Sequence, residues 1–328
     1  MSAKRGVVNL SIPTPFAVGP VNVVLIEDDP LTLVDAGANL ATTFLDIEAA
    51  LRGLGHELAD LGRIVVTHQH LDHAGLIGPL AAASGAEVCA IAGLDSWLRD
   101  GPAGNDGDER FALAVLAAHG APAAQMTTYE GARRGLSGFA SSAPEVRALA
   151  DGEDLDFAGG ALRIHHRPGH SPFDTVLEDA EAGLLIAGDA IFAAHAATVL
   201  PSPPGAGMPA DDPGRSSLFA AARRTLRWFA ETDAEVALVG HGEPIDAPDR
   251  VAGEHLREAE RRAERVRAEL AATGRSTAYE LTCCLRPRGA LRQPFHALCP
   301  TLESLDLLRE GGVVVEEEFD GVRWFACL

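Results

Sequence analysis

The chain is short of positive charge, and this shortage argues against one class of partner. Its 328 residues carry 27 Lys and Arg against 47 Asp and Glu, which gives a formal net charge of −20. Residues 248–328 hold 12 basic and 14 acidic side chains, so the acidic excess lies almost wholly in the first 247 residues. Proteins that bind DNA or RNA need a positively charged footprint. Neither part of the chain therefore predicts a nucleic-acid partner.

Cysteine is also scarce, and long apolar runs are missing. The five cysteines are odd in number and include no C-x-x-C pair, which argues for a reduced setting and against a structural zinc finger. The first residues lack the apolar stretch of a secretory signal, and no run reaches the length of a membrane span. We therefore expect a cytoplasmic protein that has no membrane partner.

What the chain does have is a concentration of potential metal ligands in one short segment. His68, His70, Asp72 and His73 form an H-x-H-x-D-H pattern. Imidazole and carboxylate groups suit zinc, iron, manganese or cobalt, and so many polar groups rarely crowd together unless a cation holds them. The β-branched run 64–66 predicts a buried strand before the pattern, and the apolar run 74–83 predicts a helix after it. The pattern therefore predicts a metal site at the end of a strand.

Three later segments place further potential ligands after strand-like runs. They are Pro168-Gly169-His170-Ser171-Pro172, Ala187-Gly188-Asp189 and Gly240-His241-Gly242. Together with the first pattern they resemble the metal-binding segments of the metallo-β-lactamase superfamily, in the order of that family and over most of residues 1–245. The resemblance implies the following ligand set: His68, His70 and His170 on a first metal, Asp72, His73 and His241 on a second, and Asp189 bridging the two.

The resemblance also implies a fold, an α/β chain arranged as the αββα metallo-β-lactamase sandwich with a small C-terminal winged-helix-like domain. We expect a catalytic domain over residues 1–247 and the small domain over 248–328. Strands are predicted over 7–11, 21–27, 31–35, 161–166, 175–178, 184–187 and 236–239, and helices over 42–54 and 216–229. Residues 94–151 contain no strand-like run and predict a helical insertion, with helices over 110–119 and 123–134 after a flexible polar link over 101–107.

The C-terminal part predicts three helices, beginning near residues 248, 277 and 301, and a hairpin around Asp320-Gly321. Some relatives with such a module cleave nucleic acids. Here the third helix and the hairpin are acidic, so contact with phosphates would be poor. We interpret the module as an element for packing or for a homodimer that also borders the pocket.

The activity implied by the resemblance is that of a hydrolase with two divalent metal ions, with zinc expected first and iron, manganese or cobalt as alternatives. A hydroxide bridging the metals would attack the carbonyl carbon of a thioester, ester or lactone in a small molecule, and Asp72 and Asp189 would be the catalytic carboxylates. Glyoxalase II-like thioesterases and lactonases share these ligands. The chain has Phe173-Asp174 where many glyoxalase II relatives have Gly-His.

Three other functions remain open at this point. The first is a phosphodiesterase or nuclease of the same superfamily. The second is a diiron protein that handles oxygen or nitric oxide, although that class typically has glutamate at the position of His70. The third is a non-catalytic binding protein, which would not need an intact ligand set.

Residues outside the ligand set are candidates for contact with the substrate or for support of the ligands. Arg133 and Tyr129 lie in the helical insertion, and His195 follows Asp189 by six residues. Asp35 belongs to a D-x-G turn that the family places near the metals, so it is a candidate for orienting a ligand histidine. The Pro- and Gly-rich residues 201–213 predict a loop that borders the site.

Overall fold

The computed structural model describes residues 6–143, 145–202 and 217–328, and within these ranges two six-stranded sheets are present. In the first sheet β1, β2 and β3 pair antiparallel, and β3 to β6 run parallel. Its strands are adjacent in chain order: β1 (Gly6–Ile12), β2 (Val21–Glu27), β3 (Thr32–Val34), β4 (Arg63–Val66), β5 (Glu87–Ile91) and β6 (Arg147–Leu149).

The second sheet is also built from strands that are neighbours along the chain. Its pairs are antiparallel except for the parallel pair of β10 and β11. The strands are β7 (Asp154–Phe157), β8 (Gly160–His166), β9 (Thr175–Asp179), β10 (Leu184–Gly188), β11 (Val236–Val239) and β12 (Ile245–Asp246). The carboxyl ends of β4, β8, β10 and β11 carry the four predicted metal-binding segments.

Helices fill the connections between the strands and most of the C-terminal part. Two short 3₁₀ turns, Leu58–Asp60 and Ser137–Phe139, accompany them. The helices are α1 (Ala41–Gly53), α2 (Leu71–Ala74), α3 (Ile77–Ser84), α4 (Leu94–Asp100), α5 (Pro102–Ala118), α6 (Ala123–Arg134), α7 (Ser217–Ala230), α8 (Pro248–Thr273), α9 (Ala278–Leu285), α10 (Pro287–Arg292) and α11 (Pro294–Glu310).

Alternation along the strands of the second sheet explains why the two sheets pack face to face. On β10, Ile186 points into the apolar core that it shares with the first sheet, whereas Leu185 and Ala187 pack with Phe229 of α7 on the other face. The first sheet is covered on both faces, and all four residues of β4 are buried. Two sheets between outer helices confirm the predicted αββα sandwich.

The segment 94–151 differs from its prediction in two places. Residues 147–149 form the edge strand β6 of the first sheet, so a strand is present where none was predicted. Residues 102–107 belong to α5 rather than to a flexible link, and Pro102 at the first helical position suits the start of a helix. The sequence suggested a link because two glycines and an asparagine interrupt the helical pattern there.

The helix after the metal-binding pattern begins earlier than predicted and is interrupted. Asp72 and His73 lie inside the short helix α2, and α3 follows it after a break at Gly75. A side chain at Gly75 would overlap the carbonyl oxygens of Leu71 and Phe139, so the break lets the chain near Phe139 approach closely. The close approach of Phe139 to Gly75 could not be inferred from the local periodicity of the sequence, because the two residues are far apart in the chain.

The C-terminal part contains α8 to α11 and a small sheet of β13 (Ser276–Thr277), β15 (Val322–Cys327) and β14 (Val314–Phe319). The hairpin turn has positive φ at both Asp320 (50°) and Gly321 (75°), as a type I′ turn requires. The third predicted helix begins at Pro294 rather than near 301, and α10 was not predicted. The winged-helix assignment and the boundary at residue 247 stay predictions.

No helix among the described residues combines the length and the apolar character that a membrane crossing requires.

Candidate metal centre

The four predicted metal-binding segments meet at one edge of the sandwich. His68, His70, Asp72 and His73 follow β4 of the first sheet. Three residues come from the second sheet, one after each of three strands: His170 after β8, Asp189 after β10 and His241 after β11. The structure therefore brings together all seven residues that the sequence singled out, four from one sheet and three from the other.

A first group of potential ligand atoms comes from His68, His70, His170 and Asp189, whose ligand atoms all lie within 4.8 Å of one another. The Nε2 atoms of His68 and His170 are 3.8 Å and 3.5 Å from Asp189 Oδ2. His170 Nε2 lies 2.8 Å from His70 Nδ1. Three imidazoles and one carboxylate at these spacings form a donor set that suits a divalent transition metal.

A second group adjoins the first and consists of Asp72, His73 and His241. His241 Nε2 is 3.3 Å from Asp72 Oδ2 and 3.4 Å from His73 Nε2. Asp189 connects the groups, because its Oδ1 is 3.4 Å from His73 Nε2 while its Oδ2 faces the first group. This is the position that a carboxylate shared by two metal ions would occupy.

Hydrogen bonds on the outer side of the cluster orient three of the imidazoles. Nδ1 of His170 donates to the carbonyl oxygen of Thr198 at 2.8 Å, and Nδ1 of His241 donates to that of Pro20 at 2.7 Å. Nδ1 of His73 donates to Asp35 Oδ2 at 2.7 Å. Because these acceptors fix a proton on Nδ1, Nε2 of each ring is directed at the cluster, where it can bind a cation.

Asp35 is the centre of this outer support, as the D-x-G turn suggested. Its carboxylate also accepts hydrogen bonds from the backbone N–H and the hydroxyl of Thr67 at 2.8 Å and 2.9 Å. The Thr67 hydroxyl is in turn 3.0 Å from His68 Nδ1. Asp35 has φ of 68°, a conformation that Asp tolerates better than most residues, and this turn directs its side chain to both ligand histidines.

Burial and charge set the protonation of the cluster. Burial lowers the pKa of both His68 and His70 well below the usual range of histidine, and the neighbouring imidazoles add to this effect. Burial also opposes charge on Asp189, but His73 and His68 outweigh it and hold the pKa of that carboxyl well below its usual value. Ionised carboxylate and neutral imidazole are the forms that bind metal ions.

His73 differs from His68 and His70, because its surroundings favour the protonated ring. Burial opposes charge on His73, yet Asp189 and Asp35 together raise its pKa well above the usual value. The pKa of His241 is raised in the same way, because its hydrogen bond to Asp72 outweighs burial. A cation that binds these rings at Nε2 would replace the protons, so binding would release protons to solvent.

Two buried atoms show that the cluster suits a cation. His68 Nε2 and Asp189 Oδ1 have no hydrogen bond to any residue within the described ranges, although both side chains are at least 95% buried. Buried polar atoms are almost always paired, so atoms of this kind at the centre of a donor set indicate a ligand. Gly240 contributes space: a Cβ there would overlap Asp189 Oδ1 and the His73 ring.

The turn that carries His170 has a support that the sequence analysis missed. Asp174 accepts hydrogen bonds from the backbone N–H of Ser171 at 2.9 Å and from its hydroxyl at 2.7 Å. Burial raises the pKa of Asp174 to about 6, although His170 and Ser171 favour its ionised form. The S-x-x-D spacing, in which a side chain closes a tight turn, was the available signal.

A cavity of about 550 Å³ opens beside the cluster. Five of the seven clustered residues line it, and so do the three predicted substrate contacts Arg133, Tyr129 and His195. His195 is exposed, with its ring 5.6 Å from that of Phe192. Pro201 and Ser202 border the cavity too, whereas residues 203–213 of the predicted bordering loop lie outside the described residues.

Several residues that line the cavity were not foreseen. They include Asp108 of α5, the buried Gln69 between two ligand histidines, and His296 at the start of α11. Phe16, with its ring 5.3 Å from that of Phe139, forms part of an apolar border. Nothing in local sequence marked them, because they reach the cavity only through the packing of distant segments.

Comparisons with known proteins agree with this geometry. The sequence model of the metallo-beta-lactamase superfamily matches residues 17–241, a range that contains all seven clustered residues. A Bacillus subtilis protein named probable metallo-hydrolase YqjP is 28% identical over 302 residues, which cover 92% of each chain.

Solved structures show the same fold over nearly the whole chain. A metallo-beta-lactamase family protein of Thermus thermophilus is 28% identical, covers 98% of both chains and superposes with a TM-score of 0.76. A beta-lactamase domain protein of Burkholderia ambifaria also gives a TM-score of 0.76 at 23% identity, with 98% of this chain and 93% of that chain covered. The similarity therefore includes the C-terminal part, which the superfamily model does not reach.

Proposed function

The chain belongs to the metallo-β-lactamase superfamily, and from this membership we propose that it is a binuclear metal-dependent hydrolase that cleaves a thioester, ester or lactone bond of a small molecule. Zinc is the metal expected first, with iron, manganese or cobalt as alternatives that the same ligands accept. The observation that carries the proposal is the pair of adjoining donor groups, with Asp189 between them.

Two bound divalent ions would supply an activated water near neutral pH and a Lewis acid for a carbonyl oxygen. In the proposed site, His68, His70 and His170 would hold the first ion, and Asp72, His73 and His241 would hold the second. Asp189 would be shared by both. Asp72, which is only partly buried and faces the cavity, is the carboxylate that can accept a proton during the reaction.

The cavity selects what can reach the cluster. Phe16, Val18 and Phe192 give it an apolar surface, and an apolar surface near the donor groups favours a substrate with an acyl or ring component. His195 is placed at the cavity to donate or accept a hydrogen bond, and Tyr129 and Arg133 offer a hydroxyl and a positive charge. We assign these three residues to substrate binding.

Charge pairing in the C-terminal part favours a small molecule over a nucleic acid. Three arginines of this part lie close to carboxylates: Arg275 is 3.6 Å from Glu317, Arg309 is 3.3 Å from Asp306, and Arg323 is 2.9 Å from Glu316. Arginines that are already paired contribute little to phosphate binding. A nuclease would need its positive surface elsewhere on a chain of net charge −20.

Metal analysis of the purified full-length protein, followed by assays with thioesters, lactones and phosphodiesters, tests the proposal. We expect about two equivalents of metal and turnover of at least one thioester, ester or lactone. A metal-loaded sample that is inert on all of these carbonyl compounds would refute the proposed reaction. Turnover of phosphodiesters alone would assign the chain to the nuclease branch instead.

Replacement of Asp189 by Asn tests the bridging assignment. The change removes the charge between the two donor groups, so bound metal and activity should fall together by more than about 100-fold, since even residues that only orient a ligand contribute about 10- to 100-fold. The matched control is Asp246→Asn, at an exposed position of the same sheet. Unchanged metal content and activity in Asp189→Asn would contradict the assignment.

A further inference from the structure

One wall of the cavity carries polar groups that do not belong to the metal cluster. Asp108 of α5, Tyr129 and Arg133 of α6, and His296 of α11 all line the cavity. We call these four residues the helical wall. The three helices pack on one another, and Tyr129 contacts Phe295 with a ring separation of 5.7 Å. The wall is thus assembled from the insertion and from the C-terminal part.

Arg133 is the electrostatic centre of the helical wall. It acts on the ionisation of each of the other three residues: it favours the ionised forms of Asp108 and Tyr129 and disfavours charge on His296. All four groups therefore lie within the range of one guanidinium. Outside the metal-ligand set, the other charged side chain that lines the cavity, within the described ranges, is Arg292 at the end of α10.

The neutral groups of the wall are suited to an anion as well. His296 is exposed at the cavity, and the surrounding protein atoms together with Arg133 lower the pKa of its ring to about 4, so the ring is neutral at physiological pH. Burial raises the pKa of Tyr129, which keeps its hydroxyl protonated and able to donate a hydrogen bond. Burial also raises the pKa of Asp108 to about 7, so its negative charge is only partly present near neutral pH. The wall therefore presents the charge of Arg133 beside two neutral hydrogen-bonding groups and a carboxyl that is only partly ionised.

We propose that the helical wall binds an anionic oxygen group, a carboxylate or a phosphate, on a part of the substrate other than the bond that is cleaved. The inference deepens the proposed hydrolase and rests on it. Its substrate class is a small ester, thioester or lactone that also bears one anionic group. Arg133 supplies the charge, Tyr129 and His296 supply hydrogen bonds, and the C-terminal part contributes to specificity through His296.

Calorimetric titration of the metal-loaded, full-length protein measures this subsite without turnover. The ligands are α,ω-dicarboxylates of about four to eight carbons, monocarboxylates of the same lengths, and phosphonocarboxylates to distinguish the two anionic groups. We call the ligands with two anionic ends two-headed. A two-headed ligand can contact the metal cluster with one end and the helical wall with the other, whereas a monocarboxylate contacts only one of these sites. We expect a two-headed ligand of one length to bind about 10- to 100-fold more tightly than its monocarboxylate, as one charge-assisted contact provides.

Variants on one helix separate the wall from general effects. Arg133→Gln should abolish the advantage of the two-headed ligand and leave monocarboxylate affinity unchanged, and Arg133→Lys should restore part of it. The matched control is Arg134→Gln, one residue along α6, whose side chain is 78% exposed and lies 3.9 Å from Glu130. It should bind both ligand types as the unmodified protein does.

His296→Gln gives a second, independent result, which also decides the case if Arg133→Gln does not fold. It should reduce the advantage of the two-headed ligand by several-fold and leave thermal unfolding unchanged. Equal affinity for both ligand types at every length in the unmodified protein would overturn the inference. So would an equal loss of both affinities in folded Arg133→Gln, which would assign Arg133 a structural role.

The same ligands separate this inference from the proposed function. A preference for two-headed ligands without hydrolysis of any ester, thioester or lactone would support anion binding by the helical wall and refute the proposed reaction. Equal hydrolysis of neutral and anionic esters, with no preference in the titration, would support the proposed reaction and refute anion binding by the helical wall.

Discussion

Asp35 connects two of the proposed ligand histidines through one carboxylate. It accepts from His73 directly and reaches His68 through the hydroxyl of Thr67. A residue that lies outside the cluster thus fixes the orientation of rings on both proposed metal positions. Its left-handed backbone conformation is part of the design, because the turn after β3 must bring the carboxylate beneath the segment after β4.

Asp35→Asn should weaken metal binding by about 10- to 100-fold, as expected for a group that orients a ligand. Asn tolerates the left-handed conformation and keeps the size of the side chain, so the loss would come from the negative charge that supports His73. Competition with a chelator measures the affinity. Asp320→Asn is the matched control, because Asp320 also has positive φ but lies exposed in the hairpin turn. Equal affinity in both variants would contradict the role of Asp35.

Asp108 should make anion binding depend on pH. Its pKa is raised to about 7, so below that value the carboxyl is neutral and does not offset the attraction of Arg133 for an anion. Above it, the carboxylate offsets Arg133 and repels the ligand. His296, with a pKa of about 4, stays neutral across the transition. Affinity for a two-headed ligand should therefore fall as the pH rises from about 6 to 8.

Asp108→Asn should remove this pH dependence and hold the affinity near its low-pH value. Calorimetric titration of the two-headed ligand at several pH values compares the variant with the unmodified protein. Monocarboxylate titrations give the contribution of the metal cluster to the pH profile. The same slope in both proteins would show that another group is responsible.

At the scale of elements, most of the longer strands could be predicted, whereas β5, β6, β7, the two-residue strands and several helix boundaries could not. β2 and β11 lie where their apolar runs predicted them, because a buried strand leaves a continuous apolar segment in the sequence. β6 was missed, since three residues at a sheet edge give no pattern and the strand forms only by pairing with β5. The local sequence predicts strands that have their own apolar pattern, whereas strands that form only by pairing with a distant segment cannot be predicted from it.

The same distinction holds for the candidate site. All seven clustered residues were predicted, because each stands in a short motif at the end of a strand-like run. Asp108 and His296 were not, since their place in the cavity depends on how α5 and α11 pack against α6. Ligands that the ends of strands position are encoded locally, whereas the walls of the cavity are encoded by tertiary packing.

Gly240 directly follows β11, and its lack of a side chain leaves room for Asp189 and His73 of the cluster. Gly240→Ala would force a methyl group against Asp189 and His73, so metal affinity and thermal stability should both fall. The matched control is Gly253→Ala within α8, where the new methyl group meets only the end of the Arg257 side chain. That change should raise the free energy of unfolding by about 0.5–1 kcal/mol. Metal titration and thermal unfolding of both variants test this, and tight metal binding by Gly240→Ala would refute it.

On the scale of the whole molecule, one apolar core crosses the predicted boundary at residue 247. It combines Leu116 of α5, Phe219 of α7, Leu270 of α8 and Leu298 of α11. Ion pairs with one buried partner accompany it: the buried Arg223 donates to the exposed Glu310 at 2.6 Å, and Arg262 pairs with the buried Glu303. The C-terminal part therefore completes the core of the preceding residues.

A chain that ends at residue 247 should fail to fold, because α5 and α7 would expose apolar surface that α8 and α11 cover. For the full-length protein we expect a single cooperative transition in thermal unfolding, observed alike by far- and near-ultraviolet circular dichroism. A soluble 1–247 fragment that binds metal, or two separate transitions of the full chain, would show that the two parts are independent.

The division of the seven proposed ligand residues between two sheets would make the spacing of the sheets set the distances between the ligand atoms. Four donors follow a strand of one sheet and three follow strands of the other. The distance of 2.8 Å between His70 Nδ1 and His170 Nε2 joins the two sets. The apolar residues between the sheets thereby determine the distance between the two sets of donors. A substitution in this core, such as Ile186→Ala, should therefore change which metal ion the site prefers. The rate at which a cation leaves would report how often the two layers part.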